Sequence, residues 1–190
     1  MDTLLGICLG IGLSAACGFR VFVPLFVMSI ASLAGHLTLA PGFEWIGTYP
    51  ALTAFGVATF LEISGYYIPW VDNLLDTVAT PAAIVAGTIV MASSVSDMSP
   101  LLKWALAIIV GGGLAGTVQT ATTVTRLAST ATTWGLANSI IATVEAGGSI
   151  TLSILAIALP VFAAVGVIGV LYFGAKKIFG RFHRKQEIKT

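Results

Sequence analysis

Residues 3–39 read TLLGICLGIGLSAACGFRVFVPLFVMSIASLAGHLTL, with Arg20 their only Lys, Arg, Asp or Glu. As one α-helix this stretch would run ~55 Å, against a hydrocarbon core of ~30 Å. The chain must therefore break inside it. Cys17-Gly18-Phe19-Arg20, with Pro24 just beyond, offers the place.

The rest of the chain has the same character. Of 190 residues 57% are apolar and 9% charged, where water-soluble domains carry ~25% charged residues. Mean hydropathy is +0.99. A soluble fold would lack the polar residues to cover its surface. Composition thus excludes a soluble enzyme, a nucleic-acid-binding domain and a disulfide-built secreted scaffold. The expected fold is all-α: a polytopic membrane bundle of about six spans with broken or re-entrant helices, in a single domain over residues 1–175.

Beyond the opening segment, residues 40–50 read as an interfacial loop, with Trp45 and Tyr49 suited to the headgroup level. Spans are expected at about 51–68, 78–96, 101–120 and 150–174. Tyr66, Tyr67 and Trp70 mark the interfacial end of the first of these, and residues 121–145 form a less apolar stretch dense in Thr and Ser. Six of the nine basic residues follow residue 175: Lys176, Lys177, Arg181, Arg184, Lys185 and Lys189. That asymmetry predicts a basic cytoplasmic tail over residues 176–190. Cys8 and Cys17 have neither metal-ligand nor disulfide spacing, so packing is their expected role.

A pattern recurs. Gly6-x-x-x-Gly10 precedes Arg20 by the distances at which Gly112-x-x-x-Gly116 precedes Arg126, and each arginine is followed by a glutamate, Glu62 or Glu145. This suggests an internal two-fold repeat, residues 1–97 and 101–175, which could be inverted. Transporters built from such repeats place the site at the repeat interface. The glycine pairs themselves read as helix-packing faces.

Arg20, Glu62, Arg126 and Glu145 lie in or beside apolar runs, where an ionised group costs at least ~2.5–3.5 kcal/mol. They must pair, neutralise or face water. Arg keeps its proton and demands an anion; Glu can take a proton up. The functional reading is a midplane site where Arg20 and Arg126 hold an anionic group, Glu62 and Glu145 gate or carry protons, and Asn138 orients the substrate. The alternative is a buried salt-bridge cluster that only fixes packing. Asp72 and Asp76, one turn apart, fall on one helix face. They read as a pathway mouth or, more blandly, as a solvated non-cytoplasmic loop. The Thr117–Thr133 hydroxyls could line a hydrated path or let helices approach closely.

Ala16-Cys17-Gly18-Phe19-Arg20, Leu61-Glu62, Pro69-x-x-Asp72-x-x-x-Asp76 with Pro81, and Asn138 ahead of Glu145 resemble the bacterial integral-membrane family called domain of unknown function 4126, over roughly residues 4–172. Where that family often carries a charged residue between the Glu and the Pro, this chain has Tyr66-Tyr67. The resemblance supports Arg20, Glu62, Asp72, Asp76, Asn138 and Glu145 as the residues of interest and supplies no substrate.

The sequence therefore points to a small transporter or flippase-like protein, a homodimer, handling an anionic or amphipathic small molecule in the lipid bilayer. Neither a cofactor nor a metal is implied, nucleic acid is not an expected partner, and no nucleophile–base set suggests an enzyme. A non-transporting scaffold or accessory subunit and an ion channel are the alternatives.

Overall fold

The expected break falls at residues 18–21. In a computed structural model describing residues 2–68, 71–134 and 137–187, apart from the side chains of Asn73 and residues 178–187, the chain opens with α1 (Thr3–Cys17) and α2 (Phe22–Leu33). Pro69, Trp70 and Lys189, and the side chains of Arg181, Arg184 and Lys185, lie outside the described residues. Gly18 seats against the Ala115 carbonyl oxygen and the Val118 side chain, where a Cβ would collide. Pro24 occupies the first turn of α2, where its missing N–H costs nothing. The chain reverses at the break: Gly6 packs on Ser94, and Ala40 N–H donates to the Ser93 carbonyl at 2.8 Å. With 15 and 12 residues, the two helices run only ~22 and ~18 Å. They form a hairpin whose tip is buried.

A short 3-10 turn (Glu44–Gly47) leads into α3 (Tyr49–Gly65), with Trp45 and Tyr49 exposed as expected. Thr48 caps α3, accepting from Ala51 N–H at 3.4 Å, and Pro50 stands in its first turn. α4 (Val71–Ser94) follows. α5 (Pro100–Leu106) runs through a π-helical turn (Ala107–Gly112) into α6 (Gly113–Thr133). The chain closes with α7 (Asn138–Ala158) and α8 (Pro160–Glu187). Among the described residues there is no strand.

Among the described residues four stretches are long and apolar enough to cross a membrane: Leu74–Ser94, Pro100–Thr133, Asn138–Ala158 and Pro160–Lys177. They depart from the expected spans in three places. The span expected at 51–68 is not among them: it falls on α3, which has 17 residues. The Thr/Ser stretch is no separate segment, because Thr117, Thr120, Thr125 and Thr132 each donate to the carbonyl four residues back and so ride within the helix. Residues 150–174 are not one span either. Leu159 leaves helical geometry (φ −139°, ψ 68°) and Pro160 starts a new helix, so α7 and α8 fold back on each other, and the expected tail continues α8 through Glu187.

The up-down order of the last helices brings the start of α4, the α6–α7 connection and the C-terminal half of α8 to one end. Asp72 and Asp76 therefore share an end with the basic C-terminal segment, not the opposite side. They also belong to helix α4, not to a solvated loop.

α1 is the central strut, apolar nearly all round as a buried helix must be. Ser14 Oγ donates to the Gly87 carbonyl at 2.9 Å, and Ser149 Oγ to the Ala16 carbonyl at 3.0 Å, tying α1 to α4 and α7. Both glycine pairs face α4: Gly6 and Gly10 meet Ser94 and Met91, while Gly112 and Gly116 meet Thr88 and Ile84. At Gly87 and Gly111 the two backbones touch, leaving no room for a Cβ on either.

Candidate functional site

The hairpin tip carries Arg20 into the bundle, where it is 1% exposed. One guanidinium nitrogen does all its polar work. Nη2 donates to the Ala142 carbonyl at 3.0 Å and stands 3.3 Å from Glu145 Oε2. Nε and Nη1 are buried without an acceptor. Arg126, on α6, is fully engaged: Nε and Nη2 clasp both oxygens of Glu145, and Nη1 reaches Asp76 Oδ1 at 3.1 Å. This is the bidentate geometry to which a guanidinium is suited. Glu145, on α7, thus serves two arginines, one from the α1–α2 break and one from α6.

Tyr66 serves both as well. The guanidinium carbons of Arg20 and Arg126 each lie 3.9 Å from its ring centroid, cation–π contacts that spread positive charge over an aromatic surface. Its hydroxyl bonds the Asp76 carboxylate. Sequence reading placed Tyr66 at an interface and missed this role. The signal was its position four residues after Glu62, on the same face of α3.

Glu62 departs from expectation. Among the described residues its carboxylate makes no direct ion pair; it accepts the backbone N–H of Val21 at 2.7 Å and of Phe22 at 3.0 Å. It caps the buried N-terminus of α2, whose orphan donors and dipole favour an anion. Beside it, Val21, Leu61, Tyr66 and Ala82 help line a cavity of about 270 Å³.

Asp72 and Asp76 do share a face. Asp76 goes to Arg126, while Asp72 Oδ2 accepts from Asn138 Nδ2 at 3.3 Å. Asn138 also donates to Thr130 Oγ1 at 3.0 Å, and its own Oδ1 is buried and unsatisfied. All seven sequence-predicted residues therefore gather toward one end of the bundle. The cluster is off the middle: Glu145 lies seven residues into α7, roughly 10 Å along that helix.

The arrangement of Arg20, Glu62, the Asp72/Asp76 pair, Asn138 and Glu145 sits within a match to the family model described as Domain of unknown function (DUF4126), over residues 7–178. The chain belongs to this family. No curated protein and no solved structure matches it. In this DUF4126 chain the residues between the Glu and the Pro include Tyr66, the aromatic surface for both arginines. Asp72 and Asp76 form the outer wall of the cluster.

Proposed function

We propose that this protein is a small membrane transporter or flippase-like protein for an anionic, amphipathic molecule, with Arg20 as the group that holds the anion. One observation carries the reading: Arg20 is buried, permanently charged, and has two donors without acceptors. A buried charged donor left unmade costs upward of ~1–3 kcal/mol. Nε and Nη1 face different edges of the guanidinium, so a bound carboxylate or phosphate would satisfy one of them and a second acceptor the other.

Glu145 is then the exchangeable partner. It already bridges both arginines, so an incoming anion competes with it for Arg20. Glu62 holds the N-terminus of α2, and with it the tip that carries Arg20. Asn138 Oδ1 is a free acceptor at the outer edge, suited to orienting a hydroxyl of the substrate.

The protein is read as lying in a bacterial inner membrane with its C-terminus in the cytoplasm, following the Lys/Arg excess after residue 175. The charge cluster then opens toward the cytoplasmic side, with α1–α2 re-entering from the other. The two-fold internal repeat is read from the matched Gly-x-x-x-Gly to Arg spacings of the two halves. The exposed small-residue face of Gly113, Thr117 and Thr120 on α6 suits a homodimer contact.

A structural scaffold is the second reading, favoured by the complete pairing of Arg126. Calorimetric titration of the detergent-purified protein with inorganic phosphate separates the two. Saturable binding that Arg20→Gln abolishes and Arg20→Lys weakens supports the anion site. An absence of binding in the unaltered, folded protein leaves the scaffold.

A further inference from the structure

Two apolar cavities meet on the face bounded by α6, α7 and α8. One, of about 190 Å³, begins at Leu155, Phe162 and Gly166. The other, of about 480 Å³, ends at Thr125, Ile140 and Glu145. Phe19, Val118, Val170 and Leu171 line both, so the two form one continuous groove. It is apolar along its length and reaches the charge cluster at Glu145.

From this continuity we infer that the groove seats one acyl chain of an anionic lipid, with the headgroup at the Glu145 end. This rests on the anion-site reading above and commits it to a lipid rather than a free anion. Length fits a chain: from Leu155 to Ile140 the groove follows α7 for roughly 22 Å, the reach of one extended acyl chain within a ~30 Å hydrocarbon core. Charge fits an anionic headgroup, because exposed Lys176 and Lys177 follow Leu171 on α8, at the end of the bundle that holds the cluster.

Gly166 gives the test. A Cβ there meets nothing within 4 Å, so Gly166→Leu fills the groove without a clash. Gly169 is equally unobstructed but lines neither cavity, which makes Gly169→Leu the matched control. The protein is reconstituted in phosphatidylcholine vesicles containing chain-spin-labelled phosphatidylglycerol or phosphatidylcholine, and electron spin resonance reads the motionally restricted fraction. The unaltered protein and Gly169→Leu should hold an excess of restricted phosphatidylglycerol over phosphatidylcholine, and Gly166→Leu should lose it. If Gly166→Leu melts early, Ala121→Leu, from the facing wall, serves in its place.

An excess that survives both groove-filling substitutions overturns the inference. If that surviving excess vanishes in Arg20→Gln, the anion site stands without the groove. No excess in the unaltered protein, with phosphate binding intact, also overturns the groove alone. Loss of both signals overturns the anion site with it.

Discussion

Arg20 and Glu145 meet inside the bundle, Nη2 to Oε2 at 3.3 Å, although one sits at the tip of the α1–α2 hairpin and the other a third of the way along α7. The same Oε2 also receives Arg126. One carboxylate oxygen therefore links two cations, and its removal is felt by both. Arg126 has Asp76 to fall back on; Arg20 has only the Ala142 carbonyl.

Arg126→Leu leaves Glu145 and Asp76 with a shared deficit of positive charge. It should destabilise the protein by ~3–5 kcal/mol, the usual result of breaking a buried pair from one side. Removing both partners in Arg126→Leu/Glu145→Leu should recover part of that loss, because fewer uncompensated charges remain buried. Thermal unfolding in detergent, followed by circular dichroism, gives the double-mutant comparison.

Tyr66→Phe and Tyr66→Ala should separate cleanly. The phenylalanine keeps the ring surface for both guanidiniums and loses only the hydroxyl bond to Asp76, worth about 1 kcal/mol. The alanine loses two cation–π contacts of ~0.5–2 kcal/mol each and opens a cavity beside them, which costs ~3 kcal/mol or more. Melting temperatures in the same detergent check the order: unaltered above Phe, and Phe well above Ala.

Glu62→Gln replaces one of two acceptors with an amide NH₂ that faces a backbone N–H of α2. A loss of ~1–3 kcal/mol is expected from the unsatisfied donor. The amide protons of Val21 and Phe22 should exchange faster with deuterium in this variant. Unchanged protection there would contradict the capping role.

Glycine substitutions on the packing faces should sort by space. Gly87→Ala places a Cβ 2.6 Å from the Ala115 Cβ and the Gly111 oxygen, forcing α4 away from α6 and lowering stability. Gly113→Ala meets nothing within 4 Å and should be neutral or stabilising by about 0.5–1 kcal/mol, the helix-propensity gain. Equal effects on the melting temperature would contradict the packing account.

How much of this was legible in the sequence follows from the physics of each feature. The break at Cys17–Arg20 was readable because length alone forbids a single helix, and the site residues because buried charge is costly wherever it sits. The continuity of Pro100–Thr133 was not, since Thr hydroxyls lower hydropathy while satisfying themselves on their own helix. Nor was the reversal at Leu159, where a single residue turns an apolar run into two helices. Partner choice lay further out of reach: Glu62 looked like a match for an arginine, and only the fold brings the α2 N-terminus to it.

The most direct measurement is lipid flux. The protein is reconstituted in vesicles with fluorescent nitrobenzoxadiazole-labelled phosphatidylglycerol or phosphatidylcholine, and external dithionite bleaches whatever label reaches the outer leaflet. If Arg20 holds the anion, the unaltered protein moves the phosphatidylglycerol label beyond the protein-free rate and faster than the phosphatidylcholine label, while folded Arg20→Gln does not. Flux equal to protein-free vesicles, or anion-selective flux that persists in Arg20→Gln, would contradict the account.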